Sequence, residues 1–154
     1  MSQSPSCKLL ATRDVAATLD VQNVQLVFGT VSSNAPGPGE EPVITDTCTW
    51  QAAASTPSAL VQVQVYTAKT EQIADREYTE IVRALQENTA PNVQPAPVPS
   101  LGGEAVFLPE WIIARNKDTI LTVSIGGLDS HKNALIEPPT RLARQAAQHL
   151  NWPS

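Results

Sequence analysis

The sequence predicts an α+β domain: a mostly antiparallel sheet of about five or six strands with three helices packed on it. Residues 60–66, Leu60-Val61-Gln62-Val63-Gln64-Val65-Tyr66, alternate apolar and polar with the two-residue period of a strand that has one wet face. Residues 70–87 set Ala74, Tyr78, Ile81, Val82 and Leu85 on one helical stripe, with Glu and Arg opposite. Such segments follow one another as helix, strands, helix, strands, helix, an order that argues for helices laid on an antiparallel sheet.

Taken in turn, residues 9–19 read as a short amphipathic helix with Leu10, Val15, Ala16 and Leu19 near one face. Thr12 is its expected N-cap, and Asp14 is well placed for the positive end of the helix dipole. Residues 21–31 turn to Val, Leu and Phe, predicting a strand through Val24, Leu26 and Phe28. The stretch Asn34-Ala35-Pro36-Gly37-Pro38-Gly39-Glu40-Glu41-Pro42 breaks the chain as a surface loop. A second strand carries Cys48 and Trp50, and residues 60–66 make the third.

After the helix of residues 70–87, Pro91, Pro95, Pro97 and Pro99 deny residues 88–100 both a helix and a central strand, leaving an extended surface connector. Residues 104–108, 111–115 and 119–125 read as strands, the last two joined by a hairpin turn at Asn116-Lys117-Asp118. Gly126-Gly127 ends that run. A final helix starts near Pro138-Pro139, where proline is tolerated in a first turn, and continues through Leu142, Ala146 and Leu150.

At 154 residues the chain fits one domain, and a domain of that size buries roughly 70% of its unfolded surface, enough for a core without a metal. Aromatic residues are only 5% of the chain, so Val, Ile, Leu and Ala must build that core around Trp50, Trp111 and Trp152. A net charge of −5 leaves no positive surplus for a phosphate backbone, which argues against a nucleic acid partner. No apolar run exceeds four residues, far short of the roughly 20 that cross a bilayer as a helix.

The start, Met1-Ser2-Gln3-Ser4-Pro5-Ser6, has neither a basic nor an apolar signal region. Residues 1–6 are read as a disordered tether left after a secretion signal is removed, with a single α+β domain at 7–152. Any membrane attachment of the native protein is then expected only through that removed signal.

Cys7 and Cys48 are the two cysteines, 41 positions apart. The residues by themselves leave two states open. One is a disulfide tying the first helix to the sheet, worth about 4 kcal/mol in the loop-entropy account; the other is a pair of buried thiols in a reducing compartment. His131 and His149 lie near neither cysteine in sequence and no Cys-x-x-Cys motif is present, so no metal and no cofactor are expected.

Three blocks resemble a family of small secreted bacterial proteins and lipoproteins of unknown function, whose pattern is C-x-L-L-T-x-x-E-V-A-x-x-L-G, then C-x-W, then G-L-G-D-x-A. Cys7, Leu9, Leu10, Val15, Ala16 and Leu19 match the first block, with Asp14 at its acidic position, Ala11 in place of Thr and Asp20 in place of Gly. Cys48 and Trp50 match the second; Leu101, Gly102 and Ala105 match the third, while Ser100 and Gly103 depart from it. The resemblance runs from Cys7 to about Leu150. It implies a periplasmic or cell-surface location and a single Cys7–Cys48 disulfide, and it implies no activity.

Candidate chemistry is sparse. Asp129-Ser130-His131 puts an acid, a hydroxyl and an imidazole side by side, but a nucleophilic triad converges from separated elements, so a polar turn is expected. His149 is placed to stabilise the end of the last helix. Glu40-Glu41, and Glu71 with Asp75, fall on a loop and a wet helix face rather than across a cleft. Ser100-Leu101-Gly102-Gly103 lacks the phosphate-loop pattern and precedes a strand, which makes it a tight turn. Trp50 is assigned to the core, and Trp111 either to a strand-pair core or to a contact surface.

The function expected is a non-enzymatic extracytoplasmic domain that binds a protein or small ligand, with Trp111, Pro97, Pro99 and Leu101 as its candidate surface. The alternative is an inhibitor or immunity-type protein acting on a secreted enzyme or toxin. A hydrolase would need a base within reach of Ser130 or a threonine, and the sequence provides no such arrangement.

Overall fold

The computed structural model describes residues 5–19, 23–34, 42–52, 59–127 and 135–153. Among them the chain runs from a 3-10 turn (Pro5–Lys8) into α1 (Thr12–Leu19), β1 (Val24–Asn34), β2 (Val43–Ala52), β3 (Leu60–Thr67) and α2 (Glu71–Thr89). It continues through β4 (Ala96–Pro97), β5 (Glu104–Leu108), β6 (Trp111–Asn116), β7 (Thr119–Gly126) and α3 (Glu137–His149). The α+β class and the three helices are as expected, and the Cys7–Cys48 disulfide is formed.

All seven strands join one antiparallel sheet in the order β1-β2-β3-β7-β6-β5-β4. The strand beyond the expected five or six is β4, inside the proline connector. Proline lacks a backbone N–H and cannot serve a central strand, but an edge strand needs pairing on one side only, so Ala96 and Pro97 align with Phe107 and Val106. The hairpins β5–β6 and β6–β7 turn in two residues each. Pro109-Glu110 joins Leu108 to Trp111 with Glu110 at φ 76°, and Lys117-Asp118 joins Asn116 to Thr119 with Lys117 at φ 57°.

Helices cover both faces. On one, α1, α3 and the N-terminal turn enclose Cys48, Trp50, Val61, Val63, Val65, Leu121, Val123 and Ile125, so Trp50, 1% exposed, is core as expected. On the other, α2 lays Tyr78, Ile81, Val82 and Leu85 over Leu108, Ile113 and Ile120. Val43 packs with Ala68, Ala74 and Ile73 on that face, and beside these apolar patches the register aligns Thr30, Thr47, Gln64 and Thr122 in one polar row. Gln64 joins them, donating from Nε2 to Thr47 at 3.3 Å and accepting at Oε1 from Thr122 at 3.2 Å and Tyr66 at 3.0 Å.

Two expectations at the N-terminus need correction. Ser6, assigned to the tether, is 1% exposed, and both its backbone N–H and its hydroxyl donate to Asp46 on β2. Ser6 is therefore held against the sheet together with Cys7, because the disulfide carries its flanking residue onto β2. The helix expected over residues 9–19 starts at Thr12, with Leu9 and Leu10 buried ahead of it. Thr12 is not the cap: the Ala11 carbonyl accepts from the N–H groups of Asp14 and Val15. The second helix is closer to expectation, with the Thr70 hydroxyl accepting from the Ile73 N–H at its start.

The disulfide closes a long interval between the N-terminal turn and the middle of β2. Replacing both Cys7 and Cys48 by Ser should lower unfolding free energy by about 4 kcal/mol, measured by denaturant titration. The chain's two tyrosines give a second readout. Burial, reinforced by Glu77, pushes the Tyr66 phenol up to about 12. Burial, reinforced by Glu104 and opposed by Arg115, does the same for Tyr78. A raised phenol means that the native state holds its proton more tightly than the unfolded chain does. This contribution to stability is therefore complete below pH 10 and is lost as pH rises from 10 towards 12. Phenolate absorbance should be small in the native protein at pH 11 and rise several-fold on unfolding at the same pH.

Candidate functional site

The proline connector is strapped to the molecule at a few points. Val98 and Leu101, 6% and 3% exposed, anchor it in the larger core, and the Val98 N–H donates to the Ala105 carbonyl at 2.9 Å. From α3, Arg144 donates to the carbonyls of Pro99 at 2.9 Å and Ser100 at 3.1 Å. A proline-rich segment leaves carbonyls without matching N–H groups, and a guanidinium fork supplies donors to two of them at once.

Between this strap and the start of α3 lies a cavity of about 330 Å³, with Val98, Pro99 and Ile136 as apolar wall and Glu137, Arg141 and Arg144 as charged groups. A neighbouring cavity of about 280 Å³ shares Ile136, Glu137 and Arg141 and adds Thr18, Leu135 and Pro138. Arg141 stands where the two meet. Arg144 is committed to the connector, whereas Arg141 is exposed and has no hydrogen-bond or ion-pair partner among the described residues. Leu135 and Ile136, 51% and 40% exposed, form an apolar rim. The arrangement suits a carboxylate or phosphate on an apolar body: the guanidinium takes the anion through paired N–H donors, and the rim takes the body.

The structure separates the four residues expected to form a binding surface. Pro99 lines this groove. Leu101 belongs to the core, touching only a small cavity of about 80 Å³ beside Trp152. Trp111 is half-buried on the α2 side, aligned with Leu108 and Ser124 and packed against the Tyr78 cluster. Pro97 is exposed in β4, in register with Val106 on that same side. Arg141 and Arg144 escaped the sequence reading, although two arginines three positions apart on the flank of a buried Leu142–Ala146 face, in an acidic chain, were a signal open to it.

Asp129-Ser130-His131 and Glu40-Glu41 lie outside the described residues. His149 Nδ1 is 3.0 Å from the Gln145 carbonyl in the last turn of α3, as expected for a helix-end residue. Asp75 reaches across to Arg115 at 3.6 Å, which also holds Glu104 at 3.0 Å, so this carboxylate helps fasten α2 to the sheet.

No family model matches the chain, and no curated protein matches it. Its fold is similar to that in the crystal structure of the extracellular domain of PknH from Mycobacterium tuberculosis, with a TM-score of 0.58 over 95% of this chain and 94% of that chain. Identity between the two is 10%, so the likeness is one of fold.

The end of the connector depends on Gly102. Its φ of +65° is left-handed, and an added Cβ would sit 2.8 Å from the Arg115 carbonyl oxygen and 3.0 Å from the Trp152 ring. Gly102→Ala should lower stability by about 2 kcal/mol or more through backbone strain and displacement of Trp152, seen as a lower melting temperature and altered Trp fluorescence.

Proposed function

We propose that this protein is a non-enzymatic extracytoplasmic binding domain whose ligand surface is the groove between the proline connector and α3. The observation that carries the reading is Arg141, a guanidinium without a hydrogen-bond or ion-pair partner among the described residues, at the junction of two cavities with apolar walls, on a chain of net charge −5. The disulfide supports the compartment, since such bonds persist where thiols are not kept reduced. The fold likeness to a domain described as extracellular points the same way. Cavities near 300 Å³ lie at the small end of ligand sites, which sets the ligand class as a compact amphiphilic anion.

A second reading draws on the rim. Leu135 and Ile136 are exposed side by side, which is what a protein partner covers, and this favours the inhibitor or immunity-type role on a secreted enzyme or toxin. In that case affinity depends on the apolar pair more than on Arg141.

Titration with a medium-chain fatty acid followed by amide chemical shifts decides between them. Shifts confined to residues lining the groove, with affinity falling about ten-fold or more in Arg141→Ala, support the small-ligand role. Absence of shifts in the groove at millimolar ligand, or unchanged affinity in Arg141→Ala, overturns it.

A further inference from the structure

The two edges of the sheet are built differently. β4 closes one edge with two residues, one of them Pro97. Among the described residues, β1 forms the other with 11 residues, Val-Gln-Leu-Val-Phe-Gly-Thr-Val-Ser-Ser-Asn, containing no charge and no proline. Exposed edge strands are ordinarily blunted by a lysine, a proline or short length, because their free N–H and C=O groups accept any passing strand. The single irregularity in β1 is a register shift between Leu26 and Phe28, beyond which residues 28–34 pair with β2 without interruption.

The centre of that regular stretch is nearly symmetric about Val31, with the hydroxyl residues Thr30 and Ser32 on either side and the small residues Gly29 and Ser33 beyond them, while Phe28 and Asn34 at its ends differ. Val31 is 58% exposed and Ile44 of β2 49% exposed. Both line an apolar cavity of about 350 Å³ whose other walls include Leu9, Val65 and Leu150.

We propose that the outer edge of β1 pairs antiparallel with β1 of a second copy, about a twofold axis at Val31, joining the two sheets into one. In this register Val31 faces Val31 of the second copy, Thr30 faces Ser32 and Gly29 faces Ser33. The Val31 pair extends the apolar patch made by Ile44 and the cavity mouth. On the opposite face the hydroxyl pairs lengthen the Thr30, Thr47, Gln64, Thr122 row. Charge does not oppose the pairing. The carboxylate in the Val31 row is Asp46, one strand inward and bonded to Ser6. At the usual strand spacing the two Asp46 residues stand about 14 Å apart, beyond the screening length of about 8 Å at physiological salt.

Sedimentation velocity across micromolar to millimolar protein tests this, with circular dichroism to confirm folding of each variant. Wild type should show a monomer–dimer equilibrium, and Val31→Lys, an exposed position where two lysines would face each other, should raise the dissociation constant about ten-fold or more. Val31→Cys should give a covalent dimer under mild oxidation faster than Ser33→Cys, since only position 31 meets itself across the axis. A monomer at every concentration leaves the edge to a strand of another protein and overturns the proposal, as does a dimer that Val31→Lys leaves intact. Equal crosslinking at 31 and 33 overturns the register.

Discussion

β3 and β7 pair antiparallel over eight residues, from Leu60 opposite Gly126 to Thr67 opposite Thr119. This seam joins two ribbons that the chain builds separately, β1 to β3 before α2 and β4 to β7 after it. On one side of the seam Val61, Val63 and Val65 oppose Ile125, Val123 and Leu121, which makes an unbroken apolar band and the floor under α1 and α3. On the other side Gln64 meets Thr122, so the same pairing marks where the apolar bed of α2 gives way to hydroxyls and amides. The paired residues are far apart in sequence, and closing so long a loop is offset only by contacts made along the whole seam.

The N-terminal turn depends on that seam and extends it. Cys48 and Asp46 alternate on the β2 face that carries Val65 and Val63 as neighbours, and each takes one residue of the turn: Cys48 bonds Cys7, and Asp46 accepts from Ser6. A carboxylate 9% exposed with no cation beside it among the described residues would be costly if left bare; two donors from Ser6 answer both of its oxygens. The covalent and polar fastenings together fix Leu9 and Leu10 in the core, and this is why α1 begins only at Thr12.

Elements with a strong local period were legible in the sequence: the Val-Gln alternation of β3, the stripe of α2 and the double proline at the start of α3 each dictate one conformation. The parts that escaped are those decided by a distant partner. Pro97 becomes a strand because β5 lends it an edge, Leu101 is buried because the connector folds under α3, and Ser6 is ordered because Asp46 lies opposite it forty residues on. The groove was hidden for the same reason. Pro99 and Arg141 are far apart in sequence and become neighbours only after Arg144 has drawn the connector onto α3.

α3 relates the groove to the β1 edge. Ile136 and Arg141 line the groove at its start, and Leu150, just past its end, lines the cavity that Val31 and Ile44 share beside β1. Its 13 residues place these two sites roughly 20 Å apart along a rigid rod. Pairing through β1 would therefore leave each groove clear of the joined edges. Each copy in such a pair would carry a complete groove for a compact anion, since all the residues that line it come from one chain.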